Sequence, residues 1–103
     1  MARFLVTYHA SEVPHDPEAM AQAREAFMQW AAKTGPALAD PGAPIAGTTT
    51  ISEAGVSDGA ADGPFQGWSV VEAPDAKAVA DVLSDHPFIG RGGVLQINEP
   101  VEF

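Results

Sequence analysis

Apolar residues cluster in Arg3 to His9, where Phe4, Leu5, Val6 and Tyr8 stand in a β-rich run; without alternation, this predicts a strand covered on both faces. Asp16 followed by Pro17, with Glu18 in the opening turn, sets a helix start. That helix is expected to continue to about Thr34, because Met20, Ala23, Phe27, Trp30 and Ala31 recur at helical spacing, and Gly35 and Pro36 stop it. Phe27 and Trp30 on this stripe read as core. Ala37 to Ala46 holds Asp40, Pro41, Gly42 and Pro44 and reads as a loop. The β-branched GTTTIS run from Gly47 to Ser52 predicts a second strand, and Glu53 to Phe65, rich in Gly and Asp, a long hairpin connection. Gly67 to Glu72 predicts a third strand. Pro74 to Asp85, with Ala76, Val79, Ala80 and Leu83 on one side, predicts a second amphipathic helix closed by His86 and Pro87. Gly93 to Asn98 predicts a fourth strand, with Leu95 and Ile97 opposite Gln96 and Asn98.

The order β-α-β-β-α-β folds into an α+β, ferredoxin-like domain with a four-stranded antiparallel sheet and both helices on one face. At 103 residues and 46% hydrophobic, the chain has material for one core, so residues 1–103 are expected to form one domain. Two helices leave the other face of the sheet bare. Because the strands carry apolar residues on both parities, that face calls for a partner, and pairing with a second copy gives a homodimer in the form of a dimeric α+β barrel.

Fourteen Asp and Glu against five Lys and Arg give a formal charge of −9, which repels phosphate backbones and anionic lipid. Direct nucleic-acid binding is disfavoured. With no cysteine there is no disulfide, thiolate nucleophile or Cys-type zinc site. The absence of any apolar stretch of membrane-spanning length, and a start that turns polar too soon for a secretory signal, give the expectation of a cytoplasmic protein away from membranes.

Candidate chemistry is sparse. His9, at the end of the first strand, suits acid–base work at the mouth of a cleft; the plainer reading is a solvent-facing strand-end histidine. Asp62 could orient such a histidine, although Asp before Gly and Pro is ordinary turn chemistry, and the turn is favoured, with Phe65 plugging into the core behind it. Arg91, in IGRGG, could anchor a substrate carboxylate or form a surface ion pair, the latter slightly favoured. His86 reads as a protonated cap at the negative end of the second helix. Tyr8, Trp68 and Gln96 sit on strands that place them either in the core or in a small-molecule cleft between sheets, where Asn98 would be a further polar group, subject to a strand register that a one-residue slip would invert. His9, His15 and Asp16 lack a recognised ligand spacing, so no metal site is assigned, and Gly90, Gly92 and Gly93 lead into a strand without the ending of a phosphate loop. No cofactor is implied.

The DGPF of Asp62, Gly63, Pro64 and Phe65, the tail HPFIGRGGVLQINEPVEF and the opening strand FLVTYH together resemble the YCII-related family, in particular its DGPF-motif branch. The resemblance covers most of the chain and implies a dimeric α+β barrel of ferredoxin-like protomers. It also implies a catalytic pair of a His in the first helix and an Asp in the following strand region. This chain has no His in that helix, and the corresponding position falls near Arg24. Branch members joined to sigma-factor-like domains place transcription machinery among the implied partners. Two functions follow: a small-molecule-binding or interaction module, favoured by loss of the helix His, or a cofactor-independent isomerase, lyase or oxygenase. The enzyme would act on a small organic acid or aromatic metabolite, with His9 as acid or base, Asp62 orienting it and Arg91 holding the anion.

Overall fold

The computed structural model describes residues 2–10, 16–60 and 65–101. Its elements are β1 (Ala2–His9), α1 (Pro17–Thr34), a short 3-10 turn (Gly35–Ala37), β2 (Leu38–Pro44), β3 (Thr49–Ser52), β4 (Gly55–Asp58), β5 (Gly67–Ala73), α2 (Ala76–Leu83), α3 (Pro87–Gly90) and β6 (Val94–Asn98). Four strands form one antiparallel sheet in the order β2-β5-β1-β6. The α+β architecture is consistent with a ferredoxin-like fold.

Local chemistry explains the helices. The Asp16 carboxylate accepts from the Ala19 amide at 2.8 Å, and α1 ends at Gly35, as the sequence predicts. Asp75 does the same for α2 through the Ala78 amide, also at 2.8 Å. From these helices Trp30, Val79 and Leu83 descend onto Phe4, Val6, Tyr8, Val71 and Ala73 to make the core. Burying a side chain of this kind contributes about 1.5–3 kcal/mol. A clamp from Asp85 joins the ends of the two helices: it accepts from the Trp30 indole at 3.1 Å and pairs with Lys33. The hydrogen bond from Lys33 holds the Asp85 carboxyl below its usual pKa.

Three expectations are corrected. First, β1 is covered on one face only: Phe4, Val6 and Tyr8 are buried, whereas Leu5 is 41% exposed. Second, the second strand of the sheet is β2, in the stretch that reads as a loop. Because β2 lies at the sheet edge and pairs only with β5, its prolines need not donate to a neighbour on the outer side, and its register shifts twice, between Leu38 and Asp40 and between Asp40 and Ala43. Gly42 makes this possible. Its φ of 69° lies in the left-handed region, and a Cβ there would stand 1.8 Å from the Trp68 carbonyl oxygen. Third, the β-branched run beginning at Gly47 supplies β3, which pairs with β4 in a separate two-stranded hairpin carrying the exposed pair Ile51 and Val56.

Candidate functional site

The hydrophobic stripe of α1 reaches full burial only at Trp30; nearer its N-terminus Met20 is 50% exposed. There the helix leaves a cleft of about 430 Å³, within the ordinary range for small-molecule sites. Met20, Ala23, Arg24 and Phe27 form its α1 wall, and Pro41 to Pro44 of β2, with Ile45 just beyond it, form the facing wall. Tyr8, Gln66, Gly67 and Trp68 contribute from the sheet, and His86, Phe88 and Arg91 from around α3. Most of these groups are apolar, and among the described residues no carboxylate lines the cleft.

A directed chain of hydrogen bonds crosses the core beside it. The Phe88 amide donates to His86 Nδ1 at 3.0 Å, which leaves the imidazole proton on Nε2. Nε2 lies 3.1 Å from the Tyr8 hydroxyl and donates to it. Ser69 gives its own proton to the Pro41 carbonyl at 2.8 Å, so the 2.6 Å bond between Tyr8 and Ser69 has Tyr8 as donor. Every proton in the series is thereby committed, and the chain ties α3 through β1 and β5 to the bulged strand β2.

This arrangement overturns the protonated His86 expected from the end of α2. His86 is 3% exposed and caps the start of α3. Burial first, and then the charge of Arg91, push its pKa down to about 4, against a smaller opposing pull from Asp85. Burial likewise raises the Tyr8 phenol, opposed by its hydrogen bond with Ser69. Both groups are neutral at pH 7. Aromatic contacts hold them in place: His86 lies 4.3 Å from the Trp30 ring and Tyr8 lies 5.4 Å from the Phe88 ring, centroid to centroid.

The residues singled out in the sequence divide between two places. Tyr8, Trp68 and Arg91 contribute to the cleft, with the Arg91 guanidinium 5.7 Å from the centre of the Phe88 ring. Strand alternation nevertheless sets the Trp68 side chain with Thr7 on the sheet face that, among the described residues, no helix covers. Gln96 pairs with Thr7 from the other side and donates to Asn98 Oδ1 at 2.7 Å, so it lies on that open face and off the cleft. His9 is there too, half-buried, with Nε2 2.8 Å from Thr7 Oγ1 and its ring stacked on Phe65 at 5.9 Å. Phe65 is thus half-buried against His9 rather than seated in the core. Asp62 and His15 lie outside the described residues. No three His, Cys, Asp or Glu side chains gather as a metal site, and no helix is long and apolar enough to cross a membrane, both among the described residues.

Sequence reasoning passed over Arg24, Phe88 and the whole β2 wall as parts of a site, and took His86 for a helix cap alone. The one available signal was the Met20, Ala23 and Phe27 stripe with Arg24 at its edge. Compared with known proteins, the chain matches no family model, and no curated protein shows significant similarity to it.

Proposed function

We propose that the protein is a YCII-related small-molecule-binding module of the cytoplasm, working as a homodimeric barrel and holding its ligand in the cleft between α1 and the sheet. The observation that carries the binding role is the cleft itself: mostly apolar walls, with Arg24 and Arg91 among them, above the neutral Tyr8 and His86, which are already bonded to one another. Such a site offers shape and apolar contact, and its histidine is not poised near neutral pH to take up a proton. Homodimerisation is supported by the uncovered sheet face, where Leu5 and Val94 are 41% and 62% exposed beside the half-buried Trp68 and Val70. The acid–base alternative has less support, because His9 engages Thr7 and Phe65 on the face away from the cleft.

A neutral probe tests the cleft. Titrating isotope-labelled protein with indole is expected to move the amide resonances of Phe27, Ile45 and Phe88, and Ala23→Trp, which fills the cleft, is expected to abolish those shifts while leaving the rest of the spectrum in place. Shifts confined to the open sheet face, or unaffected by Ala23→Trp, would reject the cleft as the binding site.

A further inference from the structure

We infer that the ligand is a hydrophobic carboxylic acid, bound as its anion, whose carboxylate is held by Arg24 and Arg91 while its ring lies against Met20, Phe27 and Phe88. This deepens the proposed function and rests on the cleft being the binding site.

Charge placement carries the inference. The chain has only five Lys and Arg against fourteen carboxylates. Arg3 pairs with Glu72 and Lys33 with Asp85, whereas Arg24 and Arg91 form no ion pair with a described residue. Both line the cleft, arriving from different elements, and no carboxylate among the described residues joins them there. Since His86 is neutral, the described charges of the cleft are all positive in a molecule that is otherwise strongly negative. A cationic ligand would meet two guanidinium groups with no counter-charge, and a neutral one would leave them unused. An anion gains charge-assisted hydrogen bonds with planar donors. The apolar walls then select what the anion is attached to: a flat ring fits against Phe27 and Phe88, and about 430 Å³ accommodates one or two fused rings.

Matched probes separate charge from shape. 2-Naphthoate, 2-naphthamide and 2-naphthyl phosphate share a ring system and differ in the group presented to the two arginines. Calorimetric titration of the full chain is expected to show naphthoate binding at least about tenfold more tightly than the amide, the gain of one charge-assisted hydrogen bond or more. That ratio is expected to shrink as salt is raised. Arg24→Gln and Arg91→Gln should each bring the ratio towards one by weakening naphthoate more than the amide. Arg91→Lys, which keeps the charge and loses the planar fork, should fall between, and it serves if Arg91→Gln disturbs the fold. Equal binding of naphthoate and amide at the cleft, or a ratio indifferent to all three variants, overturns the inference and leaves the cleft reading standing. Tight binding of the phosphate with naphthoate no better than the amide overturns the carboxylate assignment in favour of a phosphoryl ligand. If none of the probes shifts the Phe27 and Phe88 resonances, the inference falls together with the cleft as a site.

Discussion

Phe4, Val6 and Tyr8 lie beneath the helices, and with them on β5 are Ser69, Val71 and Ala73; the intervening Leu5, Thr7 and His9 share the open face with Trp68, Val70, Gln96 and Asn98. Both faces carry polar groups, but they use them differently. On the covered face the hydroxyls and the imidazole form a series that runs one way and ends on a backbone carbonyl. Across the open face, short side-chain bonds such as Gln96 to Asn98 remain in reach of water. The same strand thus supplies a fully hydrogen-bonded floor for a cleft on one side and a partly apolar, partly solvated surface on the other. A floor must be fully satisfied, since an unmatched buried polar group is costly, and among the described residues no buried side-chain nitrogen or oxygen lacks a partner.

Truncating neighbouring residues on β1 separates the two faces most strongly. Phe4 is fully buried, so Phe4→Ala is expected to cost about 3–5 kcal/mol in chemical denaturation. Leu5→Ala, one position along, is expected to cost less than about 1 kcal/mol of protomer stability. Its effect belongs elsewhere: light scattering should find the wild type at dimer mass, and Leu5→Asp at monomer mass with its circular dichroism retained. A wild-type monomer at micromolar concentration would remove the sheet-to-sheet pairing, and equal costs for the two alanine variants would deny that the faces differ.

Much of this frame is legible in the sequence because it is written locally. The Asp16-Pro17 start and the Gly35-Pro36 stop of α1, and the strands β5 and β6, each depend on a few adjacent residues. β2 is not legible, since Pro41, Gly42 and Pro44 are turn residues by any local rule and become a strand only because β5 offers an edge on which bulges are tolerated. The isolated β3–β4 hairpin is hidden for a related reason: a β-branched run shows that a strand forms, not which strand it joins. The cleft is the least legible part. Tyr8, Arg24, Gly42 and His86 come from four separated stretches of chain and meet only through tertiary packing. Their faces depend on register: the alternation that sets Tyr8 beneath the helices sends Gln96 to the other side. Gly93 gives one more case. It reads as the first residue of a strand, but a Cβ there would lie 2.2 Å from the Phe88 ring, so its smallness seats a cleft wall.

The next effect concerns the imidazole in the floor. Because the His86 pKa is near 4 in the folded chain and 6.5 is the ordinary value, the unfolded chain binds the extra proton more readily between those limits. Stability contributed by neutral His86 is therefore complete above pH 6.5 and is lost progressively as pH falls towards 4. Between pH 7 and pH 5 the loss is expected to reach about 2 kcal/mol in urea unfolding. His86→Gln, although less stable throughout, is expected to show a flatter profile across that interval. A wild-type profile as flat as that of the variant would mean that the ring is not held neutral by burial.

The smallest effect tests the hydroxyl next to it. Tyr8→Phe keeps the ring contacts with His86 and Phe88 but removes the acceptor for His86 Nε2–H and the donor to Ser69. Ser69 retains its bond to the Pro41 carbonyl, so the main loss is one stranded imidazole proton, about 1 kcal/mol of stability. On the open face Thr7→Val removes a hydroxyl of similar size from the same strand, and in the protomer water replaces it, so the expected change in protomer stability is below about 0.5 kcal/mol. The pH profile separates the two partners in the floor. Burial is the principal cause of the low His86 pKa, and the Tyr8 hydroxyl is not among its causes, so Tyr8→Phe should lower stability at every pH and leave the slope between pH 7 and pH 5 intact. A slope that vanished with the hydroxyl would show instead that the hydrogen-bonded series, rather than the packing around it, keeps the imidazole neutral.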